Sequence, residues 1–136
     1  MILASGAFDG LHAGHVAYLQ AAANVSPEDE LVVAIAPNLY IRTAKHRDAR
    51  WEQDERAETV AAVRYVDRVV THPELSIAET IRRLRPTIVV KGLDWIGKLP
   101  LDVTAACVTV GARVVFVDAE RTHSAQVDWR RIGESL

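Results

Sequence analysis

Short apolar stretches alternate along the chain with stretches in which apolar residues recur at helical spacing. The short stretches predict five strands, at residues 1–5, 31–36, 66–71, 87–90 and 114–117. The periodic stretches predict helices at residues 13–24, 51–65, 101–110 and 124–133. One more helix is predicted to begin at the capping-box pair Ser76 and Glu79 and to end before Pro86. The second strand is continuously apolar, as is typical of a strand covered on both faces.

This alternation of strands and helices predicts an α/β fold of the Rossmann-like type. We expect an open, five-stranded parallel sheet with helices on both faces. In such sheets ligands bind beyond the carboxyl ends of the strands, where the strand order reverses. Four polar segments follow predicted strands and should face one crevice: the pair His12 and His15, a basic loop at 38–50, residues 91–94 and residues 121–124.

Length and charge narrow the class of protein. The 136 residues suit a single domain, residues 1–136. The net charge of −2 gives no nucleic-acid footprint, although Lys and Arg are numerous between residues 42 and 68. Such a local positive patch favours a small polyanionic substrate over nucleic acid. The single cysteine, Cys107, excludes an internal disulfide and is expected to be a buried, inert thiol.

The apolar stretches also bear on location. None approaches the roughly eighteen residues that a membrane-spanning helix needs. The start of the sequence lacks the charged region of a signal peptide. We therefore expect a cytoplasmic domain without a membrane partner.

The most informative stretch runs from Gly6 to His15, between the first strand and the first helix. Its three glycines allow a tight turn and close approach of the backbone to a ligand. The helix N-terminus offers unpaired N–H groups and a positive dipole end, which together favour an anion. The stretch therefore predicts phosphate chemistry. We expect four more of its residues to contact the substrate: Ala7, Phe8, Asp9 and Gly14. Neither the dinucleotide glycine motif nor the P-loop motif is present.

His12 and His15 are the expected catalytic groups. If a nucleoside triphosphate lies in the crevice, nucleotidyl transfer would need in-line attack on its α-phosphorus and departure of pyrophosphate, so positioning and charge neutralisation would do most of the catalysis. An imidazole N–H can donate to a phosphoryl oxygen, and an imidazolium donates more strongly. Two alternatives are a metal site formed with Asp9 and a purely structural pair that caps and packs. Asp9 itself is interpreted mainly as a turn residue that bonds its own backbone.

Several basic residues are candidates for contacting phosphates. Lys45 is expected to act as a mobile point charge that closes over them. Its neighbours in the basic loop compete for that role: Arg42, His46, Arg47 and Arg50. For Arg56 and Arg64, on the next predicted helix, a solvated surface position is the alternative to a functional one.

Two later stretches complete the predicted site. Lys91, Gly92, Asp94 and Trp95 directly follow a buried strand. Asp94 can accept hydrogen bonds from a sugar or base, and Trp95 can supply an apolar wall or, alternatively, anchor the edge of the core.

The segment from Arg121 to Ser124 precedes the last predicted helix. Ser124 is a reasonable N-cap. The functional alternative is a helix N-terminus that faces a triphosphate, with Arg121 as a clamp.

The spacing of Phe8-Asp9 and His12-x-Gly14-His15 resembles the signature of the nucleotidyltransferase superfamily, in its cytidylyltransferase branch. Over most of its length the chain looks most similar to the glycerol-3-phosphate cytidylyltransferases. The stretches that carry this resemblance are 6–15, 31–35, 64–67, 92–98 and 121–122.

This resemblance implies transfer of CMP from CTP to a small phosphorylated alcohol such as glycerol 3-phosphate, with release of pyrophosphate. It also implies magnesium and a homodimer. The residues that it places around CTP are His12, His15, Lys45, Arg64, Asp94, Arg121 and Thr122.

Two departures and a second resemblance leave alternatives open. The family has a Ser/Thr-rich motif where this chain has residues 123–126, and usually an acid near Asn38. Residues 11–16 and 90–92 also resemble the heptose-1-phosphate adenylyltransferases, which implies ATP and a sugar phosphate. We favour CTP over ATP because Asp94-Trp95-x-Gly97-Lys98 matches the cytidylyltransferases more closely. The altered segment at 123–126 makes a nucleotide-binding module without turnover the remaining alternative.

Overall fold

The computed structural model describes residues 1–118, which form a five-stranded, all-parallel sheet with helices on both faces. The predicted Rossmann-like α/β class is confirmed. The strands are β1 (Ile2–Gly6), β2 (Leu31–Ile35), β3 (Arg68–Thr71), β4 (Ile88–Gly92) and β5 (Arg113–Val117). The helices are α1 (Ala13–Asn24), α2 (Asn38–Lys45), α3 (Gln53–Ala61), α4 (Ala78–Leu84) and α5 (Leu101–Val110), with a 3-10 turn at Leu93–Trp95.

The strand order β3-β2-β1-β4-β5 places the switch point between β1 and β4. β1 pairs with β2 along its whole length, from Ile2 opposite Leu31 to Gly6 opposite Ile35. With β4 it pairs only at its first two residues, Ile2 and Leu3. The two central strands therefore part before their carboxyl ends, and this separation opens a crevice where ligands bind in open α/β sheets.

The core consists of two apolar layers, one on each face of the sheet. Alternate residues of β1 and β2 face α1 and α3, where Leu19 and Val60 are fully buried. The other residues face α4 and α5, where Ile81 and Cys107 are buried. Cys107 is a free, buried cysteine, as expected. Both faces of β2 are covered, which explains its unbroken apolar sequence.

The predicted loop at 38–50 is wrong in its first half, because Asn38–Lys45 forms α2. This segment contains no glycine or proline, and Pro37 lies directly before its first turn. Ile41 is its buried residue, so the core holds the helix through one side chain. The helix ends at His46, which adopts a left-handed backbone with φ of 56°.

Three predicted boundaries also differ. The helix predicted at 51–65 is α3, which is shorter, and the strand predicted at 66–71 starts at Arg68. Residues 66 and 67 precede the strand as irregular structure instead, where the Asp67 carboxylate accepts a hydrogen bond from the Leu31 N–H at 2.8 Å. The capping box at Ser76 does not form, since Glu79 pairs with Arg82 at 2.6 Å.

The remaining predicted elements at the carboxyl end lie outside the described residues: the helix at 124–133 and the candidates Arg121, Thr122 and Ser124. Within residues 1–118, no helix has the length and apolarity to cross a membrane.

Candidate active-site cleft

A cleft of about 520 Å³ lies at the carboxyl ends of the strands. Nine of the predicted site residues line it: Ala7, Phe8, Asp9, His12, His15, Lys45, Lys91, Asp94 and Trp95. Topology thus brings together three of the four segments that were expected to converge: the histidine pair, the basic loop and residues 91–94. The fourth segment, residues 121–124, lies outside the described residues. Arg64 does not line the cleft, because it is exposed after the end of α3 with its guanidinium 5.2 Å from the ring centroid of Tyr65.

The cleft also contains residues that the sequence did not nominate as site residues. They come from strand ends, from the segments that lead into helices and from the first turns of α2 and α5: Ser5, Tyr40, His72, Leu75, Ser76, Ile77, Pro100 and Val103. The end of β3 was left out of the predicted crevice, although the topology rule that was applied to the other strands would have included it.

His12 and His15 cap the first turn of α1 reciprocally. The Gly14 N–H donates to His12 Nδ1 at 3.0 Å, and the His12 N–H donates to His15 Nδ1 at 3.2 Å. The histidines thus act as a capping box, the role usually taken by a hydroxyl and a carboxylate. Because both Nδ1 atoms accept, each neutral ring carries its proton on Nε2. The rings stack with centroids 3.8 Å apart.

Two neighbours fix the position of this pair. A Cβ atom on Gly14 would lie 2.9 Å from His12 Cε1, so glycine is required for the His12 ring to fold over the helix end. Phe8 packs edge-on against His15, with ring centroids 5.2 Å apart. Phe8 is buried and has a positive φ of 51°, which is uncommon for a residue other than glycine. Its main contribution is to support the His15 ring from the core.

The His15 ring is neutral in the free protein at ordinary pH. Burial, followed by the charges of His12 and Lys45, lowers the pKa of His15 from 6.5 to about 4. The folded protein therefore binds fewer protons at this site than the unfolded chain. Stability is consequently lost as the pH falls from 6.5 towards about 4. His15 thus offers a neutral Nε2–H donor before any ligand binds, and not the stronger imidazolium.

Replacement of Lys45 by Met is expected to raise the pKa of His15. Lys45 carries one of the two positive charges that disfavour the imidazolium, and methionine removes that charge with little change in side-chain length. The measurement is a pH titration of the His15 ring followed by ¹⁵N NMR, with Arg42→Met as the control, since Arg42 pairs instead with Asp48. An unchanged pKa in the Lys45→Met protein would show that Lys45 is too distant to act on this site.

Asp9 organises the basic loop and not its own turn. Its carboxylate accepts hydrogen bonds from the Arg47 side chain at 2.6 Å and from the N–H groups of Arg50 and Trp51 at 2.9 Å and 3.0 Å. Burial alone would raise the pKa of Asp9, but these donors outweigh it and lower that pKa. The interpretation of Asp9 as a residue that bonds its neighbouring backbone is wrong, because its partners lie about forty residues away.

The ion pairs of the basic loop distinguish among the basic residues that were candidates for contacting phosphates. Arg47 is held by Asp9, and Arg42 is held by Asp48 at 3.2 Å. Lys45 and Arg50 line the cleft, and neither side chain has a hydrogen-bond or ion-pair partner in the part of the chain that the structure describes. A polyanion in the cleft would therefore meet Lys45 and Arg50 beside the two histidines.

Arg56 lies beneath the cleft and is 1% exposed. Its guanidinium donates to the carbonyls of Trp51, Ala7 and Ala36, at 3.0 Å, 2.8 Å and 2.8 Å, and to Asn38 Oδ1 at 2.7 Å. It therefore joins the ends of β1 and β2 to the loop that carries Arg50. Asn38 lies near the position where the cytidylyltransferases usually have an acid. It makes this structural contact with Arg56 and does not line the cleft.

The end of β4 forms another part of the cleft. Lys91 Nζ donates to Ser5 Oγ at 3.0 Å and lies 4.7 Å from the ring centroid of Trp95. Burial lowers the pKa of Lys91 to about 8, although Asp94 opposes this effect. A Cβ atom on Gly92 would lie 2.6 Å from Asp94 Oδ1, so a glycine at residue 92 leaves the space that the Asp94 carboxylate occupies. Trp95 is half-buried, and its ring, which lies against the Lys91 ammonium group, offers a flat surface to the cleft.

The donor groups do not suit a metal ion held by protein side chains alone. The metal site considered for Asp9, His12 and His15 is not formed, since the Asp9 carboxylate instead accepts from Arg47, Arg50 and Trp51. Among residues 1–118, no cluster of three or more His, Cys, Asp or Glu could hold a metal. Asp94 is the carboxylate that remains in this cleft, which suits a Mg²⁺ ion bound mainly through substrate phosphates.

Comparisons with known proteins agree with this architecture. The family model described as cytidylyltransferase-like matches residues 3–129. The bifunctional protein HldE of Gluconobacter oxydans is 38% identical over 121 residues, which cover 87% of this chain and 24% of HldE. The FAD synthase of Thermococcus kodakarensis is 36% identical over 94 residues, which cover 68% of this chain and 62% of that synthase. The chain thus spans less than two thirds of either relative.

A solved structure is similar over most of the chain. The lipopolysaccharide core biosynthesis protein from Thermoplasma volcanium superposes with a TM-score of 0.70 at 26% sequence identity. The match covers 86% of this chain and 93% of that protein.

Proposed function

Because the chain belongs to the cytidylyltransferase-like family, we propose that it is a nucleotidyltransferase that joins a nucleoside monophosphate to a phosphorylated acceptor. The observation that carries the proposal is the pair of Nε2–H donors of His12 and His15, which the capping box holds beside Lys45 and Arg50. These four groups form a site for the phosphates of a nucleoside triphosphate.

In the proposed reaction, an oxygen of the acceptor phosphate attacks the α-phosphorus of the triphosphate. The bond from that phosphorus to the bridging oxygen breaks, and pyrophosphate leaves with the electron pair. A phosphate oxygen is already anionic at neutral pH, so the attack needs no general base. His12 and His15 stabilise charge on the transferring phosphoryl group, while Lys45 and Arg50 stabilise the departing pyrophosphate.

Magnesium belongs to this proposal as an ion carried by the triphosphate. It would neutralise part of the phosphate charge, and Asp94, a carboxylate that lines the cleft, would help to hold it. The homodimer and the cytoplasmic location implied above stay predictions.

For the nucleotide we propose ATP. The comparisons favour the second resemblance, to the heptose-1-phosphate adenylyltransferases, over the first, and they do not support a preference for CTP. FAD synthases make a product that contains an adenylyl group. The similar solved structure is that of a lipopolysaccharide core biosynthesis protein, and a lipopolysaccharide core is built of sugars, which supports a sugar phosphate as the acceptor.

Pyrophosphate release with a panel of substrates tests the proposal. The panel combines ATP or CTP with heptose 1-phosphate, mannose 1-phosphate, glycerol 3-phosphate or flavin mononucleotide, in the presence of Mg²⁺. We expect a kcat/KM for ATP at least about tenfold above that for CTP, equivalent to about 1.4 kcal/mol. A preference of similar size for CTP would restore the cytidylyltransferase interpretation. Tight ATP binding by calorimetry without release from any pair would identify a binding module.

A further inference from the structure

His72 is a buried histidine in the wall of the cleft. It directly follows β3, is 1% exposed and lines the cleft. Its position is fixed from two sides, since its N–H donates to the Ile35 carbonyl at 3.4 Å and its carbonyl accepts from Gln53 Nε2 at 2.9 Å. Gln53 also donates to the Ile35 carbonyl, at 3.0 Å. β2 and α3 therefore hold this residue rigidly at the strand end.

The contacts of the His72 ring determine where its proton lies. Nδ1 is 2.8 Å from the Glu74 carbonyl oxygen, which can only accept, so Nδ1 carries the proton. Nε2 then presents a lone pair, and it has no hydrogen-bond partner among residues 1–118. Burial lowers the pKa of His72, although Glu74 opposes this, so the ring is neutral. A buried acceptor left unpaired is costly, and a ligand that donates a hydrogen bond to it would remove that cost.

The chemistry of Nε2 restricts the ligand. A phosphate that is fully ionised has no proton to donate, so Nε2 must bind an O–H or N–H group. Tyr40, in the helix that follows β2, and Ser76, in the segment that follows β3, also line the cleft and carry hydroxyls. The indole of Trp95 lies at the end of β4, and β1, with its phosphate site, separates β4 from β2 and β3. The ends of β2 and β3 therefore suit a polyol, and the end of β4 suits a base.

We propose that His72 determines acceptor specificity by accepting, at Nε2, a hydrogen bond from a hydroxyl of the sugar or polyol part of the phosphorylated acceptor. This inference rests on the proposed function and adds to it the position of the second substrate. The triphosphate would lie over the end of β1, and the acceptor would reach it from the side of β2 and β3.

Two substitutions separate the Nε2 contact from the contact with Glu74. His72→Asn keeps an N–H near Nδ1 that can bond the Glu74 carbonyl, but it has no acceptor at the place of Nε2. His72→Gln carries a carbonyl oxygen near the place of Nε2. Thr80→Val is the matched control, because the Thr80 hydroxyl is also buried without a partner in the described residues but does not line the cleft.

We expect His72→Asn to lower kcat/KM for heptose 1-phosphate roughly 10- to 100-fold, mainly through KM for the acceptor, with KM for ATP unchanged. His72→Gln should recover part of that loss, and Thr80→Val should resemble the original protein. Thermal unfolding of each variant verifies that it is folded. Equal losses for ATP and acceptor, or no loss in a folded His72→Asn protein, would overturn the inference.

A measurement that does not need turnover separates this inference from the proposed function. In ¹⁵N NMR of the original protein, the His72 Nε2 resonance should move upfield when heptose 1-phosphate, mannose 1-phosphate or glycerol 3-phosphate is added. Such a shift in a protein that releases no pyrophosphate would support the binding site and refute the enzyme. A shift with ATP alone would assign the donor to the adenine amine, and a protonated Nε2 or no shift with any acceptor would refute the role of His72.

Discussion

Replacement of His12 or His15 by Ala is expected to lower kcat by about 10²- to 10³-fold, the loss typical of a preorganised donor to a developing oxyanion. Each substitution removes one of the two Nε2–H groups that the capping box holds in the cleft. KM for ATP should change less, because charge on the transferring phosphoryl group is largest in the transition state. Steady-state pyrophosphate release measures both constants.

The capping role of these histidines calls for a control that keeps the cap. Loss of an N-cap side chain costs about 1 kcal/mol, so the alanine variants will also be less stable. His12→Asn restores a preferred N-cap, and His15→Gln restores a capping-box residue at the third helical position. We expect both to recover stability. His12→Asn should not recover kcat, because its shorter amide does not reach the place of Nε2, whereas His15→Gln, whose NH2 group can lie near that place, should recover part of kcat. Near-normal kcat in folded alanine variants would show that the histidines only cap and pack.

The double variant His12→Ala/His15→Ala should lose little more activity than either single variant. The ring centroids are 3.8 Å apart, and the two side chains together cap the first turn of α1. Removal of one histidine therefore displaces its partner. Residues that act as a unit show this kind of non-additivity. Losses that multiply would mean that the two donors act independently.

The sequence predicted the parts of the fold that depend on local patterns. Residues 13–24 form a helix with the predicted ends, because the apolar spacing and the glycine-rich turn before it are both local. Gly111 ends α5 with a positive φ of 73°, as a glycine after a helix predicts. α2 was missed because the basic residues of the 38–50 segment favoured a loop, while a single side chain, Ile41, attaches the helix to the core.

The parts of the site that the sequence could not predict depend on contacts between distant residues. Asp9 and Arg50 lie 41 residues apart, and no periodicity or spacing links a carboxylate in one turn to amides in another. For Arg56 a solvated surface position was one of two interpretations, because arginines are seldom fully buried. The structure shows it under the cleft, where its donors match three backbone carbonyls. His72 lacked a motif and became visible only through its burial and its unpaired Nε2.

Arg56→Met is expected to destabilise the fold by about 3 kcal/mol or more, because buried carbonyls that lose their donor cost about 1–3 kcal/mol each. Methionine keeps an apolar stem of similar length but leaves the carbonyls of Ala7, Ala36 and Trp51 without the guanidinium. Arg56→Lys should recover little, since one ammonium group cannot reach three carbonyls and Asn38 together. Urea unfolding measures the free energy of each variant.

The matched control for this prediction is Arg82→Met, on α4. Arg82 pairs with Glu79 at 2.6 Å, but both side chains are more than a third exposed, so their loss should cost no more than about 1 kcal/mol. Arg56 also ties the loop that carries Arg50 to the strand ends, so Arg56→Met should weaken ATP binding even where the protein is still folded. If Arg56→Met unfolds at the same urea concentration as Arg82→Met, then water replaces the guanidinium at little cost, and the position of the phosphate site depends on Asp9 alone.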